Sequence, residues 1–141
     1  MTVAEHAPGV PDDHAYARLM APAEKARVLV VDDMADVADA MAVLLKLDGY
    51  EVRTARDGIQ ALQITAEFSP HCVILDISMP RMDGLTLTKV MRERFGDDIV
   101  LIAITAATHE SQRVSETFDR VDHYFRKPVD PSQLRKVLPI L

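Results

Sequence analysis

The stretch Arg27-Val28-Leu29-Val30-Val31-Asp32-Asp33 decides how this chain is read. Four apolar residues run without a break and stop on two acids. The run is too short for an independent helix and is rich in β-branched side chains. It reads as a strand buried on both faces, as in the middle of a parallel sheet. Two further runs share this form. Cys72-Val73-Ile74-Leu75 stops on Asp76, and Ile99 to Ile104 is followed by Thr105. Glu51 to Ala55 alternates more weakly, and His123 to Phe125 makes a short last strand.

Helical spacing fills the intervals. Val37, Met41, Leu44 and Leu45 mark a helix that stops at Gly49. Asp57 to Phe68 carries Ala61, Leu62 and Thr65 on one side and is closed by Pro70. Gly84 to Phe95 points Leu87, Val90 and Met91 inward. Thr108 to Phe118 carries Val114 and Phe118 on one stripe. Pro131 to Leu138 turns Leu134, Val137 and Leu138 inward, and Pro139 ends it because proline has no N–H to continue the ladder. Parallel strands need crossover helices on both faces of the sheet. The expected fold is therefore α/β: a flavodoxin-like, doubly wound, five-stranded parallel sheet of order 2-1-3-4-5 with five helices.

Residues 1–26 differ in composition. They hold Pro8, Pro11 and Pro22 and few large apolar residues, and read as a tail or linker. A short helix over Asp12 to Met20 is the other reading. Residues 27–141 form the domain, with no internal repeat. The opening MTVAEHAPGV lacks the charged start and apolar core of a secretory signal. No apolar stretch approaches the roughly 20 residues that cross a bilayer. The single cysteine, Cys72, excludes an internal disulfide, reads as a small core residue and fits a reducing cytoplasm. With one cysteine and scattered histidines, no zinc spacing exists. His71, His109 and His123 are expected on the surface or in loops, and Met34, Met79, Met82 and Met91 are expected to pack. A net charge of −6 argues against a direct nucleic-acid-binding face.

In such a sheet, ligands bind beyond the carboxyl ends of the strands. Asp32 and Asp33 stand after the first strand, Asp76 ends the third, Thr105 follows the fourth, and Lys127-Pro128 follows the fifth. Carboxylates brought this close repel one another, so at least one should have a raised pKa unless a cation joins them. Hard oxygen ligands suit Mg²⁺, which keeps waters and accepts phosphate oxygens. Asp32, Asp33 and Asp76 thus imply a divalent metal beside a carboxylate nucleophile, and hence phosphoryl chemistry. Lys127 and Thr105 would add a charge and a hydroxyl donor to the phosphoryl oxygens. Plainer readings stand beside these. Either acid of the pair could only cap the next helix, Thr105 could only end a strand, and Lys127 could be solvated.

The string ILDISMPRMDG around Asp76, the DD pair, I-T-A and K-P resemble the response-regulator receiver family of two-component signalling. Any one of these is weak. Together, in order and at strand ends from Arg27 to about Leu138, they are specific. The resemblance implies roles. Asp76 matches the phospho-acceptor, Asp33 the direct metal ligand, and Asp32 its water-bridged partner. Ser78 supplies a backbone carbonyl to the metal. Thr105 and Lys127 receive the phosphoryl group, and Tyr124 is the aromatic switch, against the plainer reading of a half-buried strand tyrosine. A cis peptide is implied before Pro128. Ser78 and Ala107 occupy the positions that tune phosphoryl loss, and Ala107 brings no polar group there.

The implied function is phosphorelay signalling. A histidine kinase or phosphotransfer protein donates to Asp76, and a downstream protein reads the switched face. A homodimer is one possible assembly. The chain would catalyse only its own phosphorylation and dephosphorylation. It resembles both single-domain receivers and the C-terminal receivers of hybrid kinases. The alternative is an unphosphorylated interaction module on the same fold. A hydrolase would want a second acid two residues past the acceptor, where Ser78 stands.

Overall fold

The structure, a computed structural model, describes residues 24–77, 84–105 and 119–140. Five strands form one parallel sheet in the order β2-β1-β3-β4-β5. They are β1 Arg27–Val31, β2 Glu51–Ala55, β3 Cys72–Asp76, β4 Val100–Thr105 and β5 His123–Arg126. Four helices are present among the described residues: α1 Ala35–Leu47, α2 Gly58–Phe68, α3 Gly84–Phe95 and α4 Pro131–Arg135. The expected helix over Thr108 to Phe118 and the alternative one over Asp12 to Met20 lie outside the described residues, as do Ser78, Met79, Pro80, Met82, Ala107 and His109.

Period-two alternation divides each central strand between two cores. On one face Leu29, Val31, Val73, Leu75, Leu101 and Ala103 meet Ala61 and Leu62 of α2 and Leu87 and Met91 of α3. On the other Val28, Val30, Cys72, Ile74, Ile102 and Ile104 meet Ala38, Ala42 and Leu45 of α1 and Leu134 and Leu138. Burying one such side chain contributes about 1.5–3 kcal/mol, so the three central strands hold the sheet together. Both cores lie beneath the carboxyl ends of β1, β3 and β4 and fix those ends against one another.

Three expectations change in detail. The inward stripe of α1 is Ala38, Ala42 and Leu45, and Leu44 is exposed. Alanines let the helix approach the sheet closely, which leaves the larger Val37 and Met41 half-buried at its flank. Met34 does not pack. It is 58% exposed at the start of α1. Regular α4 ends at Arg135, before Leu138. Val137 N–H bonds the Leu134 carbonyl in a tighter turn, and Pro139 disfavours helical backbone at the residue before it.

Helix α2 starts on Asp57, whose carboxylate accepts Gln60 N–H at 2.7 Å, while Gln60 Oε1 accepts Arg56 N–H at 2.8 Å. This satisfies two donors at the helix entry and is related to a capping box. His71 is structural: its Nδ1 accepts the Arg27 backbone N–H at 2.9 Å.

Candidate functional site

The carboxyl ends of β1 and β3 are neighbours because Val31 pairs with Leu75. The next residue on each strand is an acid. Asp32 and Asp76 are 5% and 7% exposed, while Asp33 faces solvent. Each of Asp32, Asp33 and Asp76 offers one carboxylate oxygen, and the three oxygens lie within 4.8 Å of one another.

Two of these acids are held by specific bonds. Asp32 continues the ladder, its N–H donating to the Ala55 carbonyl at 3.0 Å, and its Oδ1 accepts Met34 N–H at 3.0 Å. The second bond orients Asp32 ahead of α1 without capping the helix directly, since the cap residue is Met34. Lys127 Nζ donates to Asp76 Oδ2 at 2.8 Å and stands 3.6 Å from Asp32 Oδ2. Among the described residues, Lys127 thus pairs with two of the three carboxylates, Asp76 and Asp32.

The electrostatics follow from burial and crowding. Burial pushes the Asp32 carboxyl above its usual range, and the charges of Asp76 and Asp33 add to this against the Met34 N–H and Lys127. Burial works against the charge on Lys127. The Asp76 hydrogen bond and the attraction of Asp76 and Asp32 outweigh it and hold its pKa above the ordinary lysine value.

Thr105 closes β4 and is fully buried. Its carbonyl accepts Lys127 N–H at 2.9 Å, so the backbone carrying Lys127 is tied to the end of β4. Register places Thr105 beside Arg126 and Ala103 beside Tyr124. Paired residues in a parallel ladder project to the same side, so Tyr124 shares a sheet face with Thr105. The Lys127-Pro128 peptide is cis. Asp32, Asp33, Asp76 and Lys127 thus form one cluster, with Thr105 attached through the main chain, Tyr124 one register step below and Ser78 outside the described residues.

The donor set fits a hard divalent cation. Three carboxylate oxygens converge, one of them from a solvent-facing residue.

The family model for the response regulator receiver domain matches residues 28–139. The chain belongs to the response regulator receiver family. Among curated relatives of this receiver, response regulator MprA of Mycobacterium sp. (strain KMS) is 39% identical over 102 residues. That match covers 72% of this chain and 44% of the relative, so the receiver spans less than half of that protein. Among solved structures, Vibrio cholerae chemotaxis protein CheY4 superposes with a TM-score of 0.73 at 28% identity, covering 82% of this chain and all of that one. Thermotoga maritima response regulator TrrA, solved in complex with Mg(2+)-BeF, gives 0.71 at 32% identity and covers 79% of this chain and 94% of that one. These matches place the receiver in two-component phosphorelay signalling.

Sequence reasoning missed one constellation. Arg92 of α3 donates to the carbonyls of Ile99 at 2.8 Å and Arg120 at 2.9 Å, and to Asp122 Oδ2 at 2.8 Å. The same Asp122 oxygen accepts Leu101 N–H at 2.8 Å. This latch pins the entries of β4 and β5 to α3. Its members lie far apart in sequence and carry no local motif. No helix among the described residues is long and apolar enough to cross a membrane.

Proposed function

We propose that Asp76 accepts a phosphoryl group from a phosphohistidine on a sensor histidine kinase or phosphotransfer protein. The observation that carries this is the contact of Lys127 Nζ with Asp76 Oδ2, 2.8 Å long, beside the Asp32–Asp33 pair. A carboxylate oxygen of Asp76 attacks phosphorus in line. The P–O bond forms as the P–N bond breaks, and the electron pair leaves on the imidazole nitrogen, which takes a proton. Lys127 transfers part of its hydrogen bonding from Asp76 to the incoming phosphoryl oxygens, and Thr105 supplies a hydroxyl donor.

Asp32, Asp33 and Asp76, with the Ser78 carbonyl, would hold Mg²⁺. When bound, it supplies positive charge that offsets phosphoryl and carboxylate repulsion. The related TrrA was solved in complex with Mg(2+)-BeF, which supports this assignment.

Phosphorylation adds about −1.5 to −2 charges at the site. Thr105 and Lys127 respond, Tyr124 changes rotamer, and the population of the face around β5 and α4 shifts toward the form a downstream protein binds. The receiver acts once per phosphoryl group on itself and turns over no other substrate. It works in the cytoplasm, without direct nucleic-acid or membrane contact. Residues 27–141 are the functional unit and 1–26 a tail or linker, whether the receiver stands free or belongs to a hybrid kinase.

The test is incubation with Mg²⁺ and a small acyl phosphate. An acid-stable, base-labile phosphoprotein that disappears in Asp76→Asn is expected. No adduct, or an equal one in Asp76→Asn, overturns the proposal and leaves an unphosphorylated interaction module. Rapid turnover of unrelated phosphate esters would indicate a hydrolase instead.

A further inference from the structure

The foot of the sheet, opposite the acidic cluster, carries a polar node that the phosphoryl chemistry does not use. Arg27 and His71 are bonded reciprocally. His71 N–H donates to the Arg27 carbonyl at 2.9 Å, and Arg27 N–H donates to His71 Nδ1, also at 2.9 Å. The His71 carbonyl accepts Val100 N–H at 2.9 Å. One half-buried residue thus joins the entries of β1, β3 and β4. The local backbone explains why a side chain serves here. Ser69 closes α2 in the left-handed region, at φ 49°, and Pro70 follows, so regular β3 starts at Cys72. The imidazole offers an acceptor where the main chain has not yet joined the ladder.

That acceptor exists in one protonation state. A neutral imidazole accepts at Nδ1 when its proton is on Nε2, and an imidazolium has two donors and no acceptor. Protonation therefore sets one N–H against another and cancels the bond. We propose that His71 is a pH-sensitive clasp, which holds residues 24–27 to the foot of the sheet while its ring is neutral and lets them fray when the ring takes a proton. The change runs through the ordinary imidazole range, from about pH 7.5 to about pH 5.5. It stands apart from the function proposed for Asp76.

The charged groups on the elements that meet at this node were weighed against that direction. Ahead of β1, Arg27 Nε donates to the Ser69 carbonyl at 2.9 Å, its guanidinium meets Glu24 Oε1 at 3.3 Å, and Lys25 is exposed. At the end of α2, Glu67 lies 4.0 Å from Arg53. Ahead of β4, Asp97 and Asp98 are exposed, and Asp97 lies 4.0 Å from Arg92. At the entry of β5, the Asp122 oxygen is taken up by Arg92 and the Leu101 N–H. Cys72, next in the chain, stays neutral because burial raises its pKa. Arg27 and Lys25 oppose an imidazolium, in the same sense as the lost acceptor. The acids are exposed or already bonded, and screened carboxylates do not replace a direct hydrogen bond.

Amide exchange of the full chain, followed residue by residue by NMR, tests this. Protection of the Arg27 N–H, taken relative to its intrinsic exchange rate at each pH, should fall about tenfold between about pH 7.5 and about pH 5.5. The Val73 and Ile102 amides, in the central strands, should stay protected. His71→Asn sets an amide oxygen where Nδ1 stands and does not titrate, so Arg27 should stay protected at both pH values. His71→Ala should leave it unprotected at both. Imidazole nitrogen shifts should place the neutral ring's proton on Nε2. Equal Arg27 protection at the two pH values in wild type overturns the proposal. So does a loss in His71→Asn as large as in wild type, or a neutral ring with its proton on Nδ1. Wild type and His71→Asn decide the matter whether or not His71→Ala folds.

Discussion

Gly84 rests directly against Ile77, and a Cβ built on Gly84 would overlap the Ile77 backbone. Its N–H also donates to the Ile77 carbonyl at 3.2 Å. Ile77 follows Asp76, and its own N–H bonds the Ile104 carbonyl at 3.1 Å. The first residue of α3 is thus seated on the strand end that carries Asp76. Gly84→Ala should destabilise the fold by about 2 kcal/mol through overpacking. Helix propensity alone predicts the opposite sign, up to about 1 kcal/mol of stabilisation. Urea denaturation decides between them, and a stabilised variant would show that the helix shifts at no cost.

Arg92 offers a second measurable quantity. Its side chain is 16% exposed and serves the three carbonyls of Gly96, Ile99 and Arg120 and the Asp122 carboxylate. Arg92→Ala removes the donor these groups share, while Asp122 keeps the Leu101 N–H, and should cost about 2–3 kcal/mol. Arg92→Lys should recover only a minor part, since an ammonium cannot span the planar fork. An equal urea midpoint for wild type and Arg92→Ala would make the latch energetically idle.

How far the sequence reveals this molecule depends on the range of the interaction. β1, β3 and β4 were legible because strands buried on both faces show as unbroken apolar runs. Their ends were legible because Asp32, Asp76 and Thr105 interrupt those runs. Parallel topology then gathers the ends on one edge, so the acidic cluster followed from order alone. The inward stripe of α1 was displaced because Val37, Met41 and Leu44 compete with Ala38, Ala42 and Leu45, and hydrophobicity favours the larger set. Close approach to the sheet favours the smaller one. Arg92 and Asp122 are 30 residues apart, and only the folded chain joins them.

Cys72 sits in β3 between Val28 and Val100, with no exposed surface. Burial pushes its thiol well above the usual range, and Asp122 adds to the effect. The nucleophilic thiolate is therefore scarce and inaccessible. A thiol-disulfide reagent at about pH 8 should leave the native protein unlabelled for as long as it stays folded and label it fully in denaturant. Rapid native labelling would mean that β3 opens locally. Cys72→Ala should retain the fold and behave like wild type in every phosphorylation assay.

The acidic cluster makes the last prediction, and it concerns sign. Without metal, Asp32 is buried beside Asp76 and within reach of Asp33, with Lys127 as the cation beside it. Its carboxyl is held above its usual pKa chiefly by burial, so ionised Asp32 works against the fold. Asp32→Asn removes the charge and keeps the shape, and the amide can still accept the Met34 N–H at Oδ1. In a chelator the variant should melt higher than wild type by roughly 3 °C or more. Addition of Mg²⁺ should reverse the order. Wild type gains stability as the cation offsets the crowded carboxylates, while Asp32→Asn gains less because one ligand charge is gone. Thermal melts of both proteins with and without Mg²⁺ make the comparison. If Asp32→Asn melts lower than wild type in chelator, the repulsion is already balanced by Lys127, and the charge argument for a cation at this site fails.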